Sequence, residues 1–367
     1  MNSPTPTTSA PSQPVSAAII ICAYRGQDHL RELLPQLVSE QSQAQSNIKL
    51  RIVVVDDASP ELSAEPLIKA FPSVDFLLLP ENLGFAGANN RGWELVQKLD
   101  PGTAFLTLLN MDTLVTPGWH ASNLALLQSR PDAAAVQSRL RLHPQTDVIN
   151  TVGNRSHFLG FGFMTGFGET DTGQHGLVEN IDFPSGAAVT LRANVVRELG
   201  LFDESYGMYL EDAELGWRLR AAGYKVLSNP QSVVLHKYSA SAPFKWYFNL
   251  ERNRWLLMLV YCKLPTLLLL LPALLAMECG QWLFALLQGL LKERVRVYRY
   301  FLTAAAWRTV AASRARVQAL RRVSDRKLHS QHSGVIDTAV LKSPLLRFVA
   351  NPIFSAYWAI ARRVMFW

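Results

Sequence analysis

Short, unbroken apolar runs alternate along the first half of the chain with longer stretches in which apolar residues return every three or four positions. The runs are "SAAIIICAY" (16–24), "LRIVVVDDAS" (50–59), "VDFLLLP" (74–80) and "TAFLTLLNMD" (103–112). Compact apolar runs rich in Ile, Val and Leu predict buried strands. The stretches between them, "DHLRELLPQLVSE" (28–40), Glu61–Phe71, "GANNRGWELVQKL" (87–99) and "GWHASNLALLQSR" (118–130), carry the helical period. Strands apolar on both sides, alternating with helices, predict an α/β fold whose parallel sheet is covered on both faces. In such sheets ligands bind outside the carboxyl ends of the strands. Polar residues gather at those ends: Tyr24-Arg25, Asp56-Asp57, Glu81-Asn82 and Asn110-Met111-Asp112.

The pattern lapses over 143–182, which is rich in Gly, Phe and Thr ("GNRSHFLGFGFMTGFGETDTG"). A loop of that length is functional or disordered, and its aromatics predict a partly ordered segment facing substrate. "FPSGAAVTLRANVVRELG" (183–200) resumes as a strand and a helix. "YLEDAELGWRLRAAGY" (209–224) predicts an amphipathic helix stopped by Gly223, with Glu211, Asp212 and Glu214 crowded at its start. "SVVLHKYSAS" carries His236 at the end of one more strand.

The apolar peak lies at 255–291. Its longest uncharged run, Leu264–Met277, has 14 residues, short of the ~20 needed to cross a bilayer, and Lys263, Pro265, Pro272 and Glu278 interrupt the region. These interruptions favour an interfacial position over a span. Residues 292–327 follow with 11 Lys and Arg against Glu293 and Asp325, a composition suited to an amphipathic helix on an anionic membrane surface.

Charge divides the chain at the same place. Residues 1–244 hold 17 Lys+Arg against 24 Asp+Glu, and residues 245–367 hold 19 against 5. Clustered cations could bind nucleic acid, but the adjoining apolar block favours lipid. The first 14 residues, Pro/Ser/Thr-rich and uncharged, predict a disordered tail. The domains expected are thus 1–14 (tail), 15–245 (catalytic) and 246–367 (helical, membrane-associating). Cys22, Cys262 and Cys279 are the only cysteines; they make no disulfide framework and no metal-ligand spacing, and suit a reducing compartment.

Several features carry candidate chemistry. Asp56 and Asp57 place carboxylates at the ligand edge, although a strand end capping the next helix explains them equally well. Asn110 and Asp112 share one side of an extended segment and could bind Mg²⁺ or Mn²⁺, which take oxygen ligands and complete their shell with water and phosphate. An Asx turn is the plain alternative. Gly84 and Gly87 precede a helix whose N-terminus favours anions. Helix N-termini also favour carboxylates in general, which accounts for one or two of the three acids in Glu211–Glu214 but not for their aromatic and apolar approach. A lone His such as His236 is more often structural than a ligand.

Taken together, "IIICAYRGQDHLRELLPQL", "VVVDDASPE", "ENLGFAGANNRG", "LLNMDTLV", "PSGAAVTLRANVVRELGLFDESY" and "YLEDAELGWRLRAAGY" resemble the family 2 glycosyltransferases in order and spacing, over about residues 16–240. The likeness is nearest to bacterial rhamnosyltransferase-like members. It implies the GT-A nucleotide-diphospho-sugar transferase fold, with a Rossmann-like, mixed but mainly parallel sheet. By this resemblance Ala23, Tyr24 and Asp57 hold the nucleobase and ribose with Asp56 beside them, and Asn82, Gly84 and Asn90 line the nucleotide pocket. Asn110-Met111-Asp112 stands where the family has Asp-x-Asp, which leaves Asp112 as the main metal ligand. His236 matches a position that completes the metal or diphosphate site. Asp212 matches the catalytic base and Glu211 its acceptor-side partner. Asn89 departs from the Arg that many relatives carry, removing one diphosphate contact.

The activity implied is inverting, metal-assisted transfer of a sugar from a nucleotide-diphospho-sugar, dTDP-L-rhamnose first, to a polyprenyl-linked or surface glycan. The place implied is the cytoplasmic face of a bacterial inner membrane, reached through residues 255–327, without nucleic acid; an oligomer is compatible with the sequence. Two other classes remain open. A non-catalytic nucleotide-sugar-binding subunit of an envelope assembly complex would bind without transfer. A phosphoryl or nucleotidyl enzyme built on Asp56-Asp57 would not need Asp212.

Overall fold

The computed structural model describes residues 14–43, 48–238, 246–336 and 343–367; most of the expected N-terminal tail therefore lies outside the described residues. The order of elements begins β1 (Val15–Ala23), α1 (Gln27–Gln43), β2 (Ile48–Asp56), β3 (Val74–Leu78), α2 (Gly84–Leu99), β4 (Phe105–Leu109), β5 (Thr113–Val115), α3 (Trp119–Ser129) and β6 (Ala133–Leu142). It continues with β7 (Ile149–Thr151), β8 (Asn154–Ser156), β9 (Gly162–Met164), β10 (Glu179–Asn180), β11 (Ala188–Arg192), α4 (Ala193–Leu199), α5 (Glu211–Ala221) and β12 (Lys225–His236).

The main sheet runs β10-β12-β6-β11-β4-β1-β2-β3, with β5 on β12 and β7 on β6. The β1–β2, β1–β4, β2–β3 and β6–β12 pairs are parallel, and β11 enters antiparallel between β4 and β6. Alternation along each strand feeds two cores. Ile19, Ile21, Ile52 and Val54 meet α1 and α3 on one face. Ile20, Val53, Val55 and Leu108 meet α2, α4 and α5 on the other. Both faces are covered, which is why these strands read as continuous apolar runs.

One local expectation gives way. The helix anticipated over Glu61–Phe71 is only a short 3₁₀ turn, Glu65–Leu67, with Pro66 in its first positions; a proline disfavours helical backbone in the residue before it. The segment 143–182 is partly ordered, with the short strands β7 to β10 set among turns. Part of it, Gly162–Met164, borders the cleft described below, while Phe158 and Leu159 are buried against the C-terminal helices.

Those helices are α6 (Tyr247–Tyr261), α7 (Leu264–Leu287), α8 (Leu291–Phe301), α9 (Ala304–Leu320), α10 (Asp325–Leu328) and α11 (Asn351–Val364). They share a third core with α5: Trp217 and Ala213 pack with Leu257, Tyr261, Val317 and Trp358. α7 extends well beyond the uncharged run, because Glu278 is neutralised inside it. Arg254 reaches Glu278 at 2.8 Å and Glu251 at 2.9 Å, and Arg294 pairs with both acids. Many of the other tail cations are also spent internally. Arg314 donates to the carbonyls of Leu259 and Cys262, Arg316 pairs with Asp203, Arg321 with Asp325, and Arg322 with Glu198. Arg316 and Arg322 thus tie this basic stretch to the α/β part of the chain.

Candidate active site

At the carboxyl edge, β1 and β2 end in register at Ala23 and Asp56. Asp56 is buried, and its carboxylate accepts from the Ser59 and Ala64 amides at 2.9 and 2.6 Å and from the Ser63 hydroxyl at 2.8 Å. Burial pushes its carboxyl up, but these donors outweigh it and hold it below the ordinary value. Asp57 accepts from the amides of Leu83 and Gly84 at 2.7 and 2.9 Å; burial leaves its carboxyl raised despite them. The amides at the start of α2 thus already face a carboxylate from this chain. Asn82 donates to the Asp57 carbonyl, Asn89 to that of Phe85, and Asn90 ties α2 to Phe202 and Glu204. These polar side chains brace the loops of the edge, while Tyr24 stays well exposed beside them.

The loop after β1 lies directly against the Asn-Met-Asp turn. A Cβ on Gly26 would stand 2.2 Å from the Met111 sulfur. Strand β4 stops at Leu109, so Asn110, Met111 and Asp112 occupy the turn into β5 rather than the strand itself. The Asn110 Oδ1 is buried without a partner. Because β5 pairs with β12, Thr113 lies opposite His236, and the two sequence-distant candidates meet: His236 Nε2 lies 3.4 Å from Asp112 Oδ1. Burial pushes the Asp112 carboxyl up, and His236 more than reverses this, leaving it below the ordinary value. The other ring nitrogen, Nδ1, is 2.9 Å from Asn150 Oδ1. An amide oxygen can only accept, so Nδ1 carries a proton and the Nε2 edge of the ring is the one turned toward Asp112. A ring nitrogen and a carboxylate oxygen at this distance offer two ligands to a cation. Among the described residues no group of three or more His, Cys, Asp or Glu side chains is placed to hold a metal ion by itself. A hard divalent ion there would take the rest of its shell from water and substrate phosphates.

A cleft of about 380 Å³ opens beside this edge. Asn110, His236, Glu211 and Asp212 all line it, with Phe85, Phe163, Met164, Tyr209 and Tyr238 around them. The two acids begin α5, and burial raises both. Asp212 is pushed up to about 6, against the pull of the Ala213 and Gly186 amides. Glu211 rises well above the ordinary range, through burial first and then the neighbouring Asp212 charge, and its Oε2 has no partner. A carboxylate of pKa near neutrality in a partly apolar cleft is chemically a base.

Glu214 behaves differently. Its Oε2 accepts from Arg218 at 2.8 Å and its Oε1 from the Tyr261 hydroxyl at 2.6 Å, deep in the interior. It joins α5 to α6, a role beyond the dipole contact that its first-turn position suggests. Asn150 and Gly186, which steady His236 and Asp212, were not legible in the sequence. Both sit in segments without periodicity, and their contacts arise only when the fold closes.

Residues 14–257, more than half of the chain, match the family described as "Glycosyltransferase like family 2". A pre-mycofactocin glycosyltransferase of Mycobacterium tuberculosis is 30% identical over 190 residues, 52% of this chain and 38% of its own length. The O-antigen biosynthesis protein RfbC of Myxococcus xanthus is 33% identical over 150 residues, 38% of this chain and 11% of its own length. An N-acetylglucosaminyl-diphospho-decaprenol L-rhamnosyltransferase of Mycobacterium tuberculosis is 24% identical over 235 residues, 59% of this chain and 75% of its own length. The chain thus spans well under half of the first two relatives. Among solved structures, GalNAc-T7 with UDP, GalNAc and Mn²⁺ superposes with a TM-score of 0.51 at 16% identity, over 66% of this chain and 48% of that one, a likeness of fold. With its mainly parallel sheet, its edge loops and the match through β12 into α6, this chain belongs to glycosyltransferase family 2 and has the GT-A fold.

Proposed function

We propose that the chain is an inverting transferase that uses Asp212 as general base to move a sugar from a nucleoside diphosphate to a hydroxyl of a lipid-linked or surface glycan. The observation that carries this reading is one cleft holding the raised Glu211–Asp212 pair together with Asn110 and His236. The acceptor hydroxyl oxygen forms a bond to the anomeric carbon while the bond from that carbon to the diphosphate oxygen breaks. The hydroxyl proton passes to the Asp212 carboxylate, and the electron pair leaves with the nucleoside diphosphate. One displacement inverts the centre. General-base assistance of this kind contributes about 10²–10⁴-fold. Glu211 is left to shape the acceptor side of the cleft.

Mg²⁺ or Mn²⁺ held by Asp112 and His236, with Asn110 adjacent, would neutralise charge on the leaving diphosphate. Ala23, Tyr24, Asp56, Asp57, Asn82, Gly84 and Asn90 shape the nucleoside side, the last five through the braces described above. The rhamnosyltransferase among the relatives makes dTDP-L-rhamnose the first donor to try and a polyprenyl-linked glycan the first acceptor.

Membrane contact on the cytoplasmic side suits such an acceptor. It is supported by the exposed stripe Leu264, Leu268, Leu271 and Leu275 on α7 and by Ile353, Ile360 and Val364 on α11, which packs against α7. Among the described residues α7, with 24 residues, is the one helix long and apolar enough to cross a bilayer. Its packing against α8 and α11 favours an interfacial seat.

The test is a thermal-shift panel of UDP, GDP and dTDP, free and sugar-linked, with and without Mn²⁺. A ligand at a hundredfold excess over Kd adds about 2.7 kcal/mol, so one nucleotide should raise Tm by several degrees, more so with Mn²⁺. Stabilisation by none of them would contradict the reading.

A further inference from the structure

The turn that delivers the two acids is held in a conformation its own residues do not favour. Tyr209 and Leu210, directly before Glu211, have φ of +69° and +61°. Side chains with a Cβ rarely adopt this region, and two in succession persist only where the surroundings over-determine them. The surroundings here are α6. Asn253, fully buried, donates through its amide nitrogen to the carbonyls of Tyr206, Met208 and Tyr209 at 2.9, 3.2 and 2.5 Å. Its Oδ1 accepts from Arg252 Nε at 2.9 Å. That bond fixes the orientation of the amide, since a flipped one would set an acceptor against three carbonyls.

Arg252 adds a second hold. Its Nη2 donates to the Tyr206 carbonyl at 2.7 Å and to that of Ser205 at 3.3 Å. Its guanidinium lies over Phe248 and over Tyr300 of α8. The remaining carbonyl of the turn, on Gly207, accepts from the Ala86 amide of α2. Every carbonyl from Ser205 to Tyr209 is thereby engaged by a neighbouring element, and α6 alone engages four of the five.

We propose that Arg252 and Asn253 are positioning residues for transfer: they clamp residues 205–210 so that α5 begins with Glu211 and Asp212 facing the cleft. The inference rests on Asp212 being the base, as proposed above. It gives the C-terminal helices a part in the reaction itself as well as in attachment, because the clamp stands on α6 and leans on α8. An asparagine serving only the core would contribute stability and leave the reaction's pH dependence alone; a clamp alters where the base sits.

The test uses the full chain with Asn253→Ala, Arg252→Lys and Asp212→Asn compared side by side. Chemistry is read as nucleoside diphosphate released from UDP-, GDP- and dTDP-hexoses in the presence of a bacterial membrane lipid extract. Binding is read with the free nucleoside diphosphates and Mn²⁺, and the turn by amide hydrogen exchange of residues 205–213. A misplacement of about 1 Å can cost about 10²-fold. Asn253→Ala should therefore lose kcat by about that factor, keep nucleotide affinity within about twofold, shift the acid limb of the pH profile, and exchange faster across the turn. Arg252→Lys, which keeps charge and stem but loses the fork, should do the same to a smaller degree and serves if the alanine variant does not fold. Wild-type kcat and unchanged exchange in these variants, with Asp212→Asn inactive, would overturn the clamp and leave the base standing. Full turnover by Asp212→Asn would remove the base and the positioning role together.

Discussion

Asp212 and Glu211 show how a residue's neighbours decide its chemistry. Both open a helix, where exposed amides ordinarily stabilise the ionised form. Burial overrides this and leaves Asp212 at about 6 and Glu211 well above its ordinary value. A base must be ionised to accept a proton, so kcat/KM should rise as pH climbs through about 6 and level off above it; a profile flat from pH 5 to 8 would contradict the assignment. The linkage to stability has the opposite sign. A carboxyl raised in the folded chain contributes stability that is complete below its unfolded pKa and is lost as pH rises through about 6. Asp212→Asn should therefore raise Tm at pH 8 while leaving it nearly unchanged at pH 4, which differential scanning calorimetry can read. At the proposed metal position, Asp112→Asn should abolish the Mn²⁺-dependent part of nucleotide binding and leave the Mn²⁺-independent part in place, measurable by titration calorimetry.

At the scale of elements, α5 must lie almost on top of the segment before β11. A Cβ on Gly216 would stand 2.2 Å from the Phe183 Cβ and 2.5 Å from its Cα. Backbone cannot yield as a flexible side chain can. Gly216→Ala should therefore cost about 1–3 kcal/mol despite the better helix propensity of Ala, seen as a fall in Tm of several degrees. The same helix marks what the sequence could and could not reveal. Its start, stop and acids were legible from spacing alone, as were four strands and the polar edge they share, because apolar period and strand ends are local properties. Glu214 looked like a first-turn acid, and only the approach of Tyr261 makes it a buried link. Glu61–Phe71 had helical spacing, but Pro66 and the pull of Asp56 on Ser59, Ser63 and Ala64 give the segment another backbone. His236 next to Asp112 was anticipated only through family resemblance; the contact itself depends on β5 pairing with β12.

For the whole molecule, the acidic front and basic back of the sequence resolve into one packed body. Arginines of α8 and α9 satisfy acids and carbonyls of α6, α7 and the catalytic part. What faces outward from α7 is chiefly leucine, and α11 adds Ile353, Ile360 and Val364 beside Arg362 and Arg363. Attachment to lipid should accordingly persist in high salt, where a purely electrostatic contact would be screened, and carbonate should release the chain from membranes, since an interfacial seat does not span. Leu268→Gln, Leu271→Gln and Leu275→Gln together should reduce co-sedimentation with vesicles while leaving Tm within about 1 °C, as surface changes usually do.

In the mechanism proposed above, lipid contact and the clamp from α6 would both serve the presentation of a hydroxyl to Asp212 across from an activated sugar. The most direct measurement is transfer by Asp212→Asn under conditions where its nucleotide binding is shown to be intact. The account predicts wild-type affinity for the stabilising nucleoside diphosphate and turnover lowered by about 10²-fold or more; turnover equal to wild type would contradict it.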